Sequence, residues 1–324
     1  MLRPRLLLLA FIAAGLSGAA AAQPPFQDKL LRDHLWREIK RLPAGERPLV
    51  GLTLSAGGLR GLAHVGVLQV LTGAGFPIDI VSGTSVGAVI GSLYAGGVPV
   101  SDLGPFRDVI YSIESAAKPS TLHMFELILT GHLLSSEHME RFIRKTIGDK
   151  TFDQLGKPFA CVAMDLKTGE PIIFRQGPVA LAVRASMTLP GIFSPVEYRH
   201  RYLVDGGVVD YIPIDAAKLL GAEWVIASVT EGDYTKTDTT NALLTLEQVF
   251  DIRGSLIARQ QRRQADIVVD SPVGDIQFYQ SSRVDEAVRK GRAAMKEKLP
   301  EAEQDLILFS LPKLWRRWTG AGNR

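Results

Sequence analysis

Ser85, which lies between Gly83 and Gly87, is the residue of this sequence best placed for nucleophilic chemistry. It follows a predicted strand at residues 78–82, and it precedes a helical pattern at residues 86–94. In a tight strand-to-helix turn a serine side chain projects beyond the sheet edge, and glycines on both sides avoid collisions with neighbouring backbone. The N-terminus of the following helix favours negative charge that develops near the serine. A helix-capping serine in an ordinary turn is the alternative interpretation.

A second glycine-rich turn, at residues 55–61, joins a predicted strand at residues 48–54 to a predicted helix. Its consecutive glycines, Gly57 and Gly58, expose backbone N–H groups near a helix N-terminus, and this arrangement holds anions. Two anions suit such a turn: a phosphate, and the oxyanion of a tetrahedral intermediate. The turn lacks both common glycine spacings of nucleotide-binding loops. Because neighbouring strand-to-helix turns of a parallel sheet open at the same edge, the sequence predicts that these glycines lie close to Ser85.

A serine nucleophile needs a base, and the six histidines of the chain offer no distinctive candidate. We interpret His64 as structural because it falls inside a predicted helix, and His200 lies between two arginines in a predicted exposed hairpin. Asp205 is more distinctive, because Gly206 and Gly207 follow it at a strand end and let another loop approach closely. A plain Asp-Gly hairpin turn is the alternative interpretation.

Taken together, these segments resemble the patatin-like phospholipase family, nearest its bacterial members. That family combines a G-G-x-R-G oxyanion turn, a G-x-S-x-G nucleophile elbow and a D-G-G/A motif. All three occur here in the same order: Gly57-Gly58-Leu59-Arg60-Gly61, then residues Gly83 to Gly87, then Asp205-Gly206-Gly207. The resemblance covers residues 48–230 and continues more loosely to residue 295. Two positions depart from the pattern, Ala56, where the family often has a further glycine, and Tyr211, where relatives often carry asparagine or another polar residue.

The resemblance implies a catalytic dyad of serine and aspartate that works without histidine. By that carry-over Ser85 attacks an ester carbonyl and forms an acyl-enzyme, while Asp205 accepts the serine proton. The N–H groups of Gly57 and Gly58 would hold the oxyanion, and Arg60 would brace that turn or contribute positive potential. The implied substrates are phospholipids, lysophospholipids or other acyl-ester lipids, met at a membrane surface that the protein contacts transiently. The implied chemistry requires no metal or other cofactor.

Two other functions remain open from the sequence. The first is a histidine-dependent α/β-hydrolase that uses Ser85, an acidic residue such as Asp165, and His200 in that chain order. Only one obvious strand precedes the first glycine turn, whereas that fold usually has several strands before its nucleophile elbow. The second is a non-enzymatic lipid-binding module on the same scaffold.

The alternation of predicted strands and helices indicates an α/β fold, and with the resemblance it predicts three α/β/α layers around a mainly parallel sheet. We assign residues 23–47 to an N-terminal helix or extension, residues 48–300 to one catalytic domain, and residues 301–324 to an amphipathic tail. An apolar helical segment at residues 122–134 suits a lid or an acyl-chain wall, and it equally suits plain core. The tail combines cations with two tryptophans, which suits either a bilayer interface or a solvated end.

Composition and charge narrow the class of protein. Of 324 residues, 46% are hydrophobic and 22% are charged, which excludes a disordered chain. The formal net charge is only +3, so the composition predicts no nucleic-acid partner. The single cysteine, Cys161, excludes an internal disulfide and any cysteine-based metal site.

The N-terminus has the layout of a secretory signal peptide. Arg3 and Arg5 precede a short apolar run, and small residues lead up to Gln23. The sequence therefore predicts that residues 1–22 direct export to the periplasm or the exterior, with an uncleaved N-terminal anchor as the alternative. Removal of residues 1–22 would take away two arginines and no acid, which lowers the net charge from +3 to +1.

Overall fold

The computed structural model describes residues 26–103, 134–233, 235, 242–277 and 280–319. The predicted signal peptide lies outside these residues, and of the predicted lid segment only Leu134 lies inside them. In the described parts of the chain no helix combines the length and the hydropathy that crossing a bilayer requires.

Helices and strands alternate along the chain. The α-helices are α1 (Phe26–Arg41), α2 (Ala63–Gly73), α3 (Val86–Ala95), α4 (Glu137–Ile147), α5 (Val179–Ser186), α6 (Ile214–Leu219), α7 (Ala242–Gln261) and α8 (Val284–Thr319). The strands are β1 (Val50–Leu54), β2 (Ile80–Thr84), β3 (Phe159–Asp165), β4 (Pro171–Phe174), β5 (Val196–Tyr198), β6 (Arg201–Asp205), β7 (Trp224–Val229) and β8 (Ile267–Asp270). A 3-10 helix at Gly58–Leu62 leads directly into α2.

The strands form one mixed sheet in the order β5-β6-β3-β2-β1-β7-β8, and β4 pairs with β3. Neighbours among β3, β2, β1, β7 and β8 are parallel, whereas β4, β5 and β6 pair in antiparallel fashion. Every residue of β1, β2 and β7 is buried, as expected for parallel strands that are covered on both faces. The predicted α/β class with a mainly parallel sheet is confirmed.

Strand β7 shows directly that the sheet separates two layers of helices. Its residues alternate between faces. Trp224 and Ile226 belong to the large hydrophobic core, which is completed by α1, α2, α3 and α8. Val225 and Ala227 belong to a smaller core on the other face, which includes Ala258 of α7. The arrangement is therefore helix, sheet, helix.

The edge of β3 is where the fold brings distant residues together. β3 pairs with β2 through Val162 opposite Thr84, and with β6 through Ala163 opposite Asp205. Strand β4 pairs with residues of β3 that also pair with β2 or with β6. It must therefore lie on the other edge of β3. Strands β2 and β6 therefore share one edge and meet end to end. Their carboxyl ends face each other across adjacent residues of β3.

Helix α8 passes through residue 300 without interruption, and it packs against α2 and α1. Leu306 and Leu314 are fully buried in the large core, whereas Trp315 and Trp318 near the helix end are exposed. The residues beyond position 300 thus contribute to the core of the domain as far as Leu314.

Candidate active site

Ser85 occupies the turn between β2 and α3 with φ 57° and ψ −126°, a backbone conformation that costs free energy in a residue other than glycine. A Cβ atom on Gly83 would lie 2.6 Å from the Ala88 nitrogen, and one on Gly87 would lie 2.6 Å from the Ser55 oxygen. Neither distance leaves room for a side chain. The glycines that the sequence places on both sides of the serine are therefore steric requirements of this elbow.

Ser186 fixes the position of the nucleophile elbow through two hydrogen bonds to backbone groups. The Ser85 N–H donates to Ser186 Oγ at 2.9 Å, and the Ser186 hydroxyl donates to the Val162 carbonyl at 2.6 Å. Ser186 is completely buried. Its hydroxyl therefore bonds two backbone groups at the point along β3 where pairing with β2 ends and pairing with β6 begins. Ser186 lies outside the three sequence motifs, and no local pattern in the sequence indicates this role.

Asp205 is the last residue of β6, and the end-to-end meeting of β2 and β6 brings it to Ser85. The Ser85 hydroxyl lies close enough to the Asp205 carboxylate to lower its pKa, and the Gly207 N–H donates a hydrogen bond to the same carboxylate at 2.8 Å. Burial raises the pKa of Asp205 to about 6, although the Ser85 hydroxyl and the Gly207 N–H both act to lower it. Gly206 also sits at a close approach, since a Cβ atom there would lie 2.8 Å from the Val162 carbonyl carbon.

The first glycine turn lies beside this pair. Gly57 has φ 155° and Gly58 has φ 56°, values that glycine adopts readily and other residues rarely adopt. In the described part of the chain neither N–H group donates a hydrogen bond to another protein group. Ala56 fits where the family often has a further glycine, because its φ is not positive, and its N–H donates to the Tyr211 carbonyl at 3.0 Å. Tyr211 in turn donates its buried hydroxyl to the Thr230 carbonyl at 3.1 Å.

Arg60 ties the glycine turn to helix α7. Its Nε donates to the Gly57 carbonyl at 3.2 Å, and its two terminal nitrogens donate to the carboxylate of Asp251 at 3.0 and 2.6 Å. Both side chains are nearly excluded from solvent. A bidentate guanidinium–carboxylate pair fixes orientation as well as distance. Arg60 therefore braces the turn, and Asp251 is a contributor for which the sequence carries no local signal. Gly61 follows in the same 3-10 helix, packed against Val86.

An apolar cavity opens onto Ser85, Asp205 and the two glycines. Its apolar wall consists mainly of Met187, Leu189, Pro190, Ile192, Phe193, Leu246 and Phe250. From the predicted lid segment, Leu134 donates its N–H to the Ile192 carbonyl at 3.0 Å, beside this wall. A few polar groups at the end of an apolar cavity suit a ligand with a long hydrocarbon part and one polar reacting group.

His64 is a structural residue, as its place in the sequence indicates. It is completely buried, and Nε2 must donate to the Ser55 carbonyl at 3.0 Å because a carbonyl only accepts. Nδ1 then accepts a hydrogen bond from the Ser228 hydroxyl at 2.7 Å. Burial lowers the pKa of His64 to about 4, so the ring is neutral near pH 7.

The histidine-dependent triad of Ser85, Asp165 and His200 is not assembled. His200 has φ 64° in the turn between β5 and β6, at the opposite end of β6 from Asp205. At about 3.3 Å per strand residue, that end is roughly 16 Å from Asp205. The carboxylate of Asp165 is paired with Arg201 at 2.8 Å. Among the described residues that line the cavity there is no histidine.

Replacement of His200 by alanine should therefore change kcat/KM for a soluble acyl ester by less than about threefold, as for an ordinary surface substitution. Ester hydrolysis by the purified variant and the unchanged protein checks this. A loss of two orders of magnitude or more would instead support a histidine-dependent mechanism.

In fold and site the chain is an α/β protein whose serine elbow faces an aspartate at one edge of the sheet. The sequence profile of the patatin-like phospholipase family matches residues 52–218, more than half of the chain, so the chain belongs to that family.

Two relatives illustrate the sequence similarity within this family. An uncharacterised NTE family protein of Mycobacterium tuberculosis is 32% identical over 193 residues, 59% of this chain and 52% of its own length. The protein named lysophospholipase nte1 of Aspergillus fumigatus is 36% identical over 181 residues, 55% of this chain and 12% of its own length. The chain thus spans about half the length of the first of these relatives and much less of the second.

Two solved structures are similar in outline. Human GIVD cytosolic phospholipase A2 has a TM-score of 0.47 and 12% identity, and the match covers 88% of this chain and 64% of that one. VipD from Legionella pneumophila has a TM-score of 0.46 and 16% identity, and the match covers 80% of this chain and 67% of that one.

Proposed function

We propose that the chain is a lipid acyl hydrolase that cleaves carboxylic esters of phospholipids or lysophospholipids through Ser85 and Asp205. The observation that carries the proposal is the placement of the strained Ser85 beside a buried Asp205, at the polar end of an apolar cavity. Membership of the patatin-like phospholipase family and the name of the fungal relative, a lysophospholipase, support the substrate class.

In the first half of the reaction Ser85 Oγ attacks the ester carbonyl carbon while its proton passes to the Asp205 carboxylate. The carbonyl oxygen becomes an oxyanion within reach of the N–H groups of Gly57 and Gly58. These groups donate no hydrogen bond to another described protein group and can donate to the oxyanion. The tetrahedral intermediate collapses, the bond to the alcohol oxygen breaks, and Asp205 returns the proton to that oxygen. The products are a free alcohol and an acyl group esterified to Ser85.

In the second half water attacks the acyl carbonyl, and Asp205 accepts a proton from the water. Collapse of the second intermediate breaks the bond to Ser85 Oγ, which recovers the proton from Asp205. A fatty acid leaves and the site is restored. One aspartate can serve in both halves because burial makes its carboxylate more basic than an exposed one, yet leaves it ionised near pH 7.

The acid limb of kcat/KM should report Asp205 with an apparent pKa of about 6. Only the ionised carboxylate accepts the serine proton, so the rate should rise with pH, level off above about 7 and fall about tenfold per pH unit below about 5. A soluble ester assayed in buffers of constant ionic strength measures this limb. A rate independent of pH across this range would contradict the assignment.

A fluorophosphonate probe tests the nucleophile directly. It should attach covalently to Ser85, and mass spectrometry of peptides from the labelled protein should locate it there. Incubation of the purified protein with a total lipid extract, followed by mass spectrometry of the lipids, should show free fatty acid and the matching deacylated lipid. Labelling at another serine, or an unchanged lipid extract, would overturn the proposal.

A further inference from the structure

One side of helix α7 forms part of the site, and the adjoining side of the same helix is exposed to solvent. Leu246 and Phe250 line the cavity, and Asp251 binds Arg60 of the glycine turn. Gly254 lies against the Tyr211 ring, where a Cβ atom would be 2.6 Å from Cδ2. This side of the helix is therefore packed tightly against the site.

The adjoining side of α7 carries an apolar stripe that the fold leaves in solvent. Val249, Ile252 and Leu256 are 55%, 37% and 51% exposed. Their spacing of three and four residues places them within an arc of about 60° on the helix. Leu246 lies about 60° from Val249 around the same helix. Leu246 and Val249 are neighbours on the helix surface, so the stripe meets the cavity wall there, and Arg253 lies at the border between them.

The charges beside the stripe are positive. Arg253 and Arg259 have exposed side chains on this side of α7. Arg253 Nε donates to the carbonyl of Val208, a residue that lines the cavity, so this guanidinium lies at the cavity rim. Among the described side chains of α7 the only carboxylate is that of Asp251, which is turned inward to Arg60.

We propose that this α7 stripe (Val249, Ile252 and Leu256, flanked by Arg253 and Arg259) docks on the surface of an anionic lipid bilayer. Large aliphatic side chains beside cations are the composition of helices that lie in the bilayer interface. Continuity with the apolar cavity favours a lipid surface over a protein partner, because a docked bilayer would deliver acyl chains directly along Leu246. The inference rests on the proposed lipid hydrolase function, and its test uses binding instead of turnover.

A single fluorophore on the stripe gives a site-specific reading. The chain's one cysteine, Cys161, is completely buried and burial raises the pKa of its thiol, so it should resist labelling. Ile252→Cys or Leu256→Cys, in full-length protein that also carries Ser85→Ala, is labelled with a polarity-sensitive dye. Vesicles of phosphatidylcholine mixed with phosphatidylglycerol should shift the dye emission to shorter wavelength, and pure phosphatidylcholine should do so less.

Leu219 supplies a matched control for Leu256, because both leucines are 51% exposed. Leu219 ends α6 just before β7 begins, at the opposite end of the parallel strands from Ser85. Dye attached through Leu219→Cys should show no shift with either vesicle. This contrast also separates docking by α7 from attachment through the N-terminal segment.

Charge substitution gives the second measurement. Leu256→Glu should lower the partition coefficient onto the mixed vesicles by about tenfold or more, whereas Leu219→Glu should leave it unchanged. Circular dichroism and the unfolding midpoint establish that each variant is folded, and Ile252→Glu replaces Leu256→Glu if that variant is not.

Equal dye shifts at positions 256 and 219, or vesicle binding unaffected by folded stripe variants, would overturn the proposal. So would a wild-type protein that fails to bind vesicles, or a dimer that Leu256→Glu converts to monomer without any vesicle binding. If vesicle binding persists as described while the active chain hydrolyses no lipid, the hydrolase function alone has failed.

Discussion

Replacement of Ser85 by alanine should lower kcat/KM for acyl esters by about 10⁴-fold or more. The loss is large because no other group can form the acyl-enzyme, and the remaining glycine N–H groups and cavity only bind and polarise the ester. The backbone conformation of the elbow should survive, since the Ser85 N–H still donates to Ser186 Oγ. Initial rates with a soluble short-chain ester, at saturating and at low concentrations, measure the effect.

Ser92 provides the matched control for this variant. It is also completely buried, on the helix that follows the elbow, and its hydroxyl donates only to the Val89 carbonyl at 2.8 Å. Ser92→Ala should cost about 1 kcal/mol of stability and leave kcat/KM within about twofold. If Ser85→Ala retains activity while a fluorophosphonate still inactivates it, the nucleophile lies elsewhere.

Replacement of Asp205 by asparagine should lower kcat by about 10³-fold, within the range that a positioned general base contributes. The amide keeps the size of the carboxylate but cannot accept the serine proton. The acid limb with an apparent pKa of about 6 should disappear from whatever activity remains. Single-turnover rates across the pH range measure both effects on the same protein.

The same substitution should stabilise the fold at neutral pH, because burial opposes the charge. The folded pKa of Asp205 is about 6, above its ordinary value of 3.8, so the fold favours the neutral carboxyl. That stabilisation is present at low pH and is lost as the pH rises through about 6. The unfolding free energy of Asp205→Asn minus that of the wild type should therefore be about 2–3 kcal/mol larger at pH 8 than at pH 4. Urea titrations at both pH values measure the change.

Asp210 tests whether these effects belong to Asp205 alone. Burial raises the pKa of Asp210 to about 6 as well, and its carboxylate accepts a hydrogen bond from Gln261 at 2.6 Å. It contacts no atom of Ser85 in the hydrogen bonds that the structure describes. Asp210→Asn should shift stability with pH yet leave the acid limb of kcat/KM in place. Loss of the limb in Asp210→Asn and its survival in Asp205→Asn would reverse the assignment.

Local sequence determined much of this fold and most of the motif positions. The strands β1 and β7 are recognisable because parallel strands buried on both faces need continuous apolar residues. Gly57, Gly83 and Gly87 are recognisable because a positive φ or a close backbone approach admits only glycine. Such requirements act within a few residues of the chain. They are therefore readable without knowledge of the rest of the molecule.

Sequence patterns are weakest where elements are short. Strand β5 has three residues, of which one is buried, and the sequence indicates it only indirectly, through the predicted hairpin at His200. Its pairing with β6 completes one edge of the sheet. Three residues are too few to show a period, so only the pairing itself identifies the strand.

The resemblance predicted that Ser85 and Asp205 meet, but only the tertiary structure shows how they meet and which other groups join them. Ser85 reaches Asp205 because β2 and β6 share one edge of β3. Ser186, 101 positions from Ser85 in the sequence, accepts a hydrogen bond from the Ser85 N–H at that point. Arg60 finds its partner Asp251 across 191 positions. The exposure of the α7 stripe likewise depends on what packs beside the helix. Pairings of this kind leave no periodic pattern in the sequence, because they satisfy burial and hydrogen bonding between elements and not within them.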